Sequence, residues 1–379
     1  MWKIPLFDLD YAEDEKNTVL EVLESKWLSS GEKTKKFEQE FSKYLGDNTL
    51  STAVSNATAA LHISLLIAGV KEDDEVIISG LTFVADANVV TMCKATPIFA
   101  DVNSLEDWNP SVADIKAKVT NKTKAIIVVH FAGYPIEDID ELVKFCKEKS
   151  IYLIEDVAHA VGGSYDEQKC GTFGDMACFS FFSNKNLSTG EGGMFVTKNI
   201  EFDKQARLLR SHGMTSMTID RHEGKTISYD VVQPGLNYRM DEIRCALGLV
   251  QLVKLDSNNQ KRKKLVEYYI STLSNKLPEV SIPFKNISDK TISSYHIFTV
   301  LLPKNINRVN VMEKLKTKGI QTSIHYPAFK DFTYYSQFCT ESLKFADEIS
   351  SRVLTLPLYP DLSVEMIDEV INALRESLI

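Results

Sequence analysis

Three short stretches of the chain carry side chains whose types and spacing could do chemistry. The first is FSFFSNKNLSTGEGGMFVT, residues 179–197, which sets Lys185 at the mouth of a Phe-rich, strand-like run and just before a turn rich in glycine. Most lysines are solvated, but one partly desolvated there would have its neutral amine favoured and made nucleophilic. Such an amine forms Schiff bases with carbonyls. The second is IYLIEDVAHA, a strand that ends in Glu155 and Asp156, with His159 three residues on. A carboxylate at a strand end could act as a base, bind a metal or pair with a cationic ring, or it could simply cap the following helix. No second ligand stands at a spacing that suits a metal. The third is Ser55-Asn56-Ala57-Thr58, which opens the helix ATAALHISLLIAGV. Free amides at a helix N-terminus, with a hydroxyl beside them, make a phosphate site; taken alone, the same run reads more simply as a Ser/Asn cap.

The elements that must position these residues alternate. DEVIISG and PIFADV read as short buried strands around a helix from Asp86 to Lys94, KAIIVVHFAG as a strand, DIDELVKFCKEKS as a helix and IYLIEDVAHA as a strand. From about residue 50 to 200 this is the pattern of a parallel sheet covered on both faces. Ligands bind such sheets beyond the carboxyl ends of the strands, and the three stretches lie at such ends. A phosphate cup, a carboxylate and a Schiff-base lysine are together the requirements of pyridoxal 5′-phosphate, which needs its phosphate anchored, its pyridine nitrogen held protonated and its aldehyde tied to an amine. There is no GxxxxGK[ST] or GxGxxG run, which argues against a nucleotide-phosphate loop and against a nicotinamide dehydrogenase on a similar sheet.

Upstream, KTKKFEQEFSKYLG sets Phe37, Phe41 and Tyr44 at helical spacing before a glycine stop. Downstream, a long helix runs through IRCALGLVQLVKLDSNNQKRKKLVEYYISTL, and VSIPF, YHIFTVLL, VNVMEKLKTKG, IQTSIHYP and a last helix SVEMIDEVINALRESL describe a smaller α+β unit. Two domains are expected, residues 1–250 and 251–379, as befits 379 residues. Hydrophobic content of 44% and charged content of 25% are those of an ordinary globular protein. The excess of 52 acidic over 43 basic residues disfavours a nucleic-acid partner. The apolar runs are too short to span a membrane. MWKIPLFDLDYAEDE has no signal-peptide core, and the six cysteines form no CxxC pair and read as reduced thiols. A cytoplasmic location is expected.

The quoted motifs identify a resemblance. WLSSGEKTKKFEQEF, VSNATAALHISL, LTFVADANVV, IEDVAHAVGGSY, FSFFSNKNLSTGEGGMFVT, RSHG, GLNYRMDEIRCALGLVQL, IHYP and LTLPLYPDLS together resemble the DegT/DnrJ/EryC1/StrS family of pyridoxal-phosphate aminotransferases, nearly end to end. The resemblance implies an aspartate-aminotransferase-like, fold type I large domain with a mostly parallel sheet, and a small C-terminal domain. It implies that Lys185 holds the cofactor and later moves the proton, that Asp156 pairs with the pyridinium nitrogen and that His159 lies near the phenolic oxygen. It places Phe83 on the pyridine face, Ala57, Thr58 and Ser180 on the phosphate, and His325 and Tyr326 toward substrate. Asn237 would reach the phosphate of a neighbouring subunit, so a homodimer with shared active sites is implied. From the residues alone, Phe83 and Ser180 read as core packing, the HYP run as a strand end, and Asn237 carries no signal.

The implied reaction is a ping-pong transfer from an amino acid, L-glutamate in most of the family, to a ketone. Family members with histidine in place of this lysine are sugar dehydratases, which Lys185 argues against. Ala57 replaces a common glycine, and Ser183 stands where proline is frequent. Arg221, His222, Lys225 and Lys330 point to a phosphate-bearing acceptor: a nucleotide-linked keto-sugar, with a smaller phosphorylated ketose as the alternative. A regulator that binds the cofactor without turnover is the reading from a different class.

Overall fold

The computed structural model describes residues 2–46, 48–216, 224 and 227–378. Helices α1 (Glu13–Ser25) and α2 (Glu32–Leu45) lead into β1 (Leu50–Val54), α3 (Ala57–Ile67), β2 (Glu75–Ser79), α4 (Ala85–Met92) and β3 (Thr96–Ala100). Next come α5 (Val112–Ala117), β4 (Thr123–Val129), α6 (Ile139–Lys149), β5 (Tyr152–Asp156) and a small hairpin of β6 (Ser164–Tyr165) and β7 (Gln168–Lys169). Strands β8 (Met176–Ser180) and β9 (Gly193–Thr197) precede α7 (Ile200–Leu209) and the 35-residue α8 (Glu242–Lys276). The chain ends with β10 (Thr291–Ile292), β11 (Phe298–Leu301), α9 (Arg308–Thr317), α10 (Lys344–Arg352), β12 (Val353–Leu356) and α11 (Val364–Ser377).

Seven strands form the central sheet in the order β1-β9-β8-β5-β4-β2-β3. Strands β2, β3, β4, β5 and β8 pair in parallel. Strand β9 runs antiparallel to both β8 and β1. The alternating pattern predicts a parallel sheet, and β9 departs from it for a local reason. Parallel neighbours need a crossover, usually a helix, and residues 181–192 between β8 and β9 hold none.

Both faces of the sheet are covered, so successive side chains on a strand enter different cores. Val76, Ile78, Ile127, Ile154, Met176 and Cys178 pack with Ala59, Leu61, Ala87 and Val90 of α3 and α4. Ile77, Ile126, Val128 and Leu153 pack on the other side with Ile115 of α5 and Leu142 of α6. A third core joins Phe37 and Phe41 of α2, one turn apart, to Phe179, Phe181 and the start of α8 through Cys245 and Leu255.

The far half of α8 belongs elsewhere. Leu265, Val266, Tyr269 and Leu273 pack with Phe298, Val300, Leu315, Leu354 and Ile371. Ile4, near the N-terminus, is in that same second core and bridges to Ile320. We place the divide between the two units inside α8, with residues around Ile4 packed on the second. Among the described residues no helix is long and apolar enough to cross a membrane.

Candidate active site

The two adjacent carboxylates of β5 are sorted by the strand's period of two. Glu155 follows Leu153 to one face, where it is fully buried and accepts hydrogen bonds from the amides of Gly171 (2.7 Å), Phe173 (2.8 Å) and Gly174 (2.8 Å). His130 Nε2 lies 3.0 Å from its Oε2. Glu155 is therefore spent on holding the turn before β8. Asp156 follows Ile154 to the α3–α4 face, is 5% exposed, and accepts a hydrogen bond from Ala158 N at 2.9 Å. Burial raises its pKa, against the pull of that amide and of the Lys185 charge. A buried carboxylate with a nearby amine, at the carboxyl end of a central strand, is a place for a cation.

Lys185 sits in the turn after β8, and its neighbour holds it there. Asn186 Nδ2 donates to Asn259 Oδ1 of α8 (2.7 Å) and to the Ser294 carbonyl (2.7 Å). A carbonyl can only accept, so the amide nitrogen faces Ser294 and Oδ1 faces His296 Nδ1 at 2.9 Å. His296 Nδ1 thus carries the proton, and its bare Nε2 lies 3.4 Å from Lys185 Nζ. Burial and the Lys185 charge keep this ring neutral, well below the usual imidazole range. Neither Asn186 nor His296 figures in the sequence reading. Asn186 gives no signal beyond adjacency to Lys185, and His296 gives only that of a lone imidazole entering an apolar strand in SSYHIFTV. Asn186→Ala strands three buried partners at once. At about 1–3 kcal/mol for each unsatisfied buried group, with relaxation, it should destabilise the protein by about 2 kcal/mol or more, read as a fall in the urea midpoint.

Burial lowers the Lys185 amine to about 8, with the Asp156 charge opposing the shift. The lowered value means that the neutral, nucleophilic form appears as pH rises through about 8. A solvated lysine reaches it only near 10.4. The rate at which cofactor-free protein captures an aldehyde at Lys185, trapped by borohydride, should therefore rise with a midpoint about two units below that of surface lysines.

Two other predicted residues, His159 and His325, lie within reach of the charge on this amine. His159 Nδ1 accepts from Ala132 N at 3.3 Å, so Nε2 carries the proton toward Tyr326 Oη at 2.8 Å. Burial, then the Lys185 and His325 charges, hold His159 well below the ordinary imidazole value. His325 Nδ1 lies 2.8 Å from Thr355 Oγ1, and burial lowers its pKa to about 3. Phe83 packs against Tyr326 with ring centroids 5.8 Å apart, yet is 54% exposed. The core packing that its residue type suggests is thus not what the fold gives it.

At the N-terminus of α3, Asn56 does cap the helix, its Oδ1 accepting from Ala59 N at 2.8 Å. The amides of Ala57 and Thr58, one and two positions in, have no carbonyl a turn earlier to receive them. Register brings Ser180 beside them: it pairs with Gly193, which pairs with Val54. A Cβ on Gly193 would come within 2.5 Å of the Asn56 carbonyl carbon, so only glycine lets β9 run this close to the helix start. Gly190, at φ 80°, makes the turn. Asn237 is exposed, and Tyr238 beside it accepts from Ser55 N at 2.7 Å.

The anion-binding candidates fare differently. Lys330 is 2.8 Å from Asp347, an ion pair that already engages its charge. Arg221, His222 and Lys225 lie outside the described residues.

Residues 10–375 match the model of the DegT/DnrJ/EryC1/StrS aminotransferase family. The chain belongs to that family. It is 35% identical over 371 residues to the spore coat polysaccharide biosynthesis protein SpsC of Bacillus subtilis, covering 96% of this chain and 94% of the relative. Among solved structures, PseC of Helicobacter pylori, an aminotransferase involved in the biosynthesis of pseudoaminic acid, superposes with a TM-score of 0.89 at 29% identity, over 100% of this chain and 98% of its own. The putative sugar aminotransferase Spr1654 of Streptococcus pneumoniae superposes in its PLP form with a TM-score of 0.88 at 28% identity, over 100% and 98% of the two chains. The protein is a pyridoxal-phosphate-dependent aminotransferase of fold type I. The residues fit the cofactor: a buried amine of lowered pKa, a buried carboxylate without a hydrogen-bonded cation, unpartnered amides at a helix start and an exposed aromatic face.

Proposed function

We propose that this aminotransferase moves an amino group from L-glutamate to a keto-sugar, nucleotide-linked, in two half-reactions that both pass through Lys185. The observation that carries the reading is the buried Lys185 amine beside Asp156. Bound pyridoxal phosphate would supply an aldehyde for the amine and a ring that spreads carbanion charge. Lys185 would hold the aldehyde and, once displaced by the donor, remove and return the α-proton. His296 Nε2, already facing Nζ, would accept a hydrogen bond from the freed amine. Asp156 would keep the pyridine nitrogen protonated. The amides of Ala57 and Thr58 with the Ser180 hydroxyl would hold the phosphate, Phe83 would cover the ring, and His159 would stand near its phenolic oxygen. His325 and Tyr326 would face the substrate.

A sugar acceptor is supported by SpsC and PseC, both of which serve the making of carbohydrates by their descriptions. A homodimer with shared sites is supported by exposure of Phe83, Tyr229, Val231 and Val232 and by the outward position of Asn237. Light scattering should give twice the chain mass, and Asn237→Ala should weaken cofactor affinity. The deciding assay is release of 2-oxoglutarate from glutamate with nucleotide-linked keto-sugars and phosphorylated ketoses as acceptors. Turnover with the former alone supports the proposal, turnover with the latter alone moves it to smaller ketoses, and cofactor binding without donor turnover would leave a regulator.

A further inference from the structure

We propose that Asp86 is a positioning residue for this reaction: it stands as a neutral carboxylic acid that donates its proton in a hydrogen bond to Asp156, keeping Asp156 the anion of the pair and fixing its aim. The inference rests on the reading that Asp156 faces the ring nitrogen.

Asp86 lies in the first turn of α4, on the sheet face that Asp156 also occupies, and is 1% exposed. Thr82 Oγ1 donates to its Oδ2 at 2.6 Å. Its Oδ1 is sealed from solvent and meets no donor. Besides Thr82, the group that acts on this side chain is the Asp156 carboxylate, buried on the same face of the sheet and itself an acceptor. Two carboxylates in contact and out of water cannot both be ionised, so one proton must lie between them.

The surroundings assign that proton to Asp86. Asp156 has the Ala158 amide on Oδ1, with Lys185 and His130 in electrostatic reach. Asp86 has the Thr82 hydroxyl alone, and it feels burial and then the Asp156 charge, which together drive it well above the carboxylate range. Cys178, across from Asp156 on β8, is also held protonated by burial and adds no charge. A helix start asks only for a small polar side chain. A carboxyl buried against another carboxyl is costly there unless its proton is used.

Asparagine is the neutral mimic of a protonated carboxyl: its oxygen can accept from Thr82 while its nitrogen donates to Asp156. The test is therefore a comparison of Asp86→Asn and Asp86→Ala in the full chain, stripped of cofactor and titrated with pyridoxal phosphate by visible absorbance. Asp86→Asn should bind with a Kd within about threefold of wild type, and Asp86→Ala should bind about tenfold more weakly, the scale of one lost buried hydrogen bond to a charged group. Equal binding by Asp86→Ala would overturn the proposal, as would Asp86→Asn as weak as Asp86→Ala, which would mean that a second negative charge is what matters. Infrared spectra need no alanine variant. The stretch of a protonated carboxyl should be present in the wild type at neutral pH and lost in Asp86→Asn, and its absence from the wild type would sink the idea. If Asp156→Asn itself left cofactor binding unchanged, the Asp156 reading would fail instead.

Discussion

Lys185→Ala is expected to remove amino transfer altogether, with kcat down by at least about 10³-fold, because in the proposed mechanism one side chain supplies two separate functions. The first is covalent: without the amine, the cofactor's aldehyde has no protein partner for the donor to displace. The second is proton transfer, to which a positioned general base contributes about 10²- to 10⁴-fold on its own. The structure explains why no other residue substitutes. His296 meets Nζ at 3.4 Å while His159 and His325 lie within reach of its charge, and burial leaves each of them a poor base with its pKa lowered. Folding should be almost untouched, since among the described residues the amine's hydrogen-bonding contact is with His296 at 3.4 Å, whereas the clamp runs through Asn186. Cofactor should still bind through its phosphate, but without the visible band of the lysine-linked form. Retention of more than about a tenth of wild-type turnover would mean that another amine does the work. Lys185→Arg, which keeps the charge and cannot form a Schiff base, should be equally inactive.

Asp156→Asn is the second large effect, and it separates catalysis from stability. Removing one partner of a buried ion pair costs about 3–5 kcal/mol, which corresponds to about 10²- to 5 × 10³-fold in kcat if the pair is made with the protonated ring. An amide cannot hold that proton. In the cofactor-free protein the sign reverses. Burial raises the Asp156–Asp86 pair, so the folded state retains a proton there that the unfolded chain has already released. Stability then falls as pH rises above the unfolded carboxylate value of about 3.9. Asparagine removes that penalty, so cofactor-free Asp156→Asn should melt no lower than wild type at neutral pH while the loaded enzyme is crippled. A cofactor-free melting temperature that dropped sharply, with turnover preserved, would make Asp156 a structural residue.

Lys185 at a strand mouth and the carboxylate pair at the end of β5 could be singled out from the chain because each depends on a local relation, while the choice of Asp156 within the pair came from the family resemblance. A strand end, a period of two and a glycine turn are written in consecutive residues, and a lysine or carboxylate at a strand's carboxyl end faces the crevice in any sheet of this kind. The same holds for α3, whose Asn56 cap and unpartnered amides follow from helix geometry. Much of the alternating fold was readable on the same terms, and so was the long α8.

What remained hidden depends on segments that meet only when the chain is folded. His296 reaches Lys185 across a gap of 111 residues, and Asn186 is clamped from 73 residues away by Asn259. Asp86 reads as an ordinary polar residue in a helix start until α4 packs on the sheet face that Asp156 also occupies. Phe83 reads as core until the fold leaves its ring half in solvent. Ile4 joins the second core because an N-terminal segment has no local signal for which unit will receive it. Consecutive residues were enough to mark an amine, a carboxylate pair and a helix start as groups that could do chemistry at strand ends. The tertiary structure decided their protonation, their aim and their neighbours, because burial and hydrogen-bond partners are properties of the packed chain.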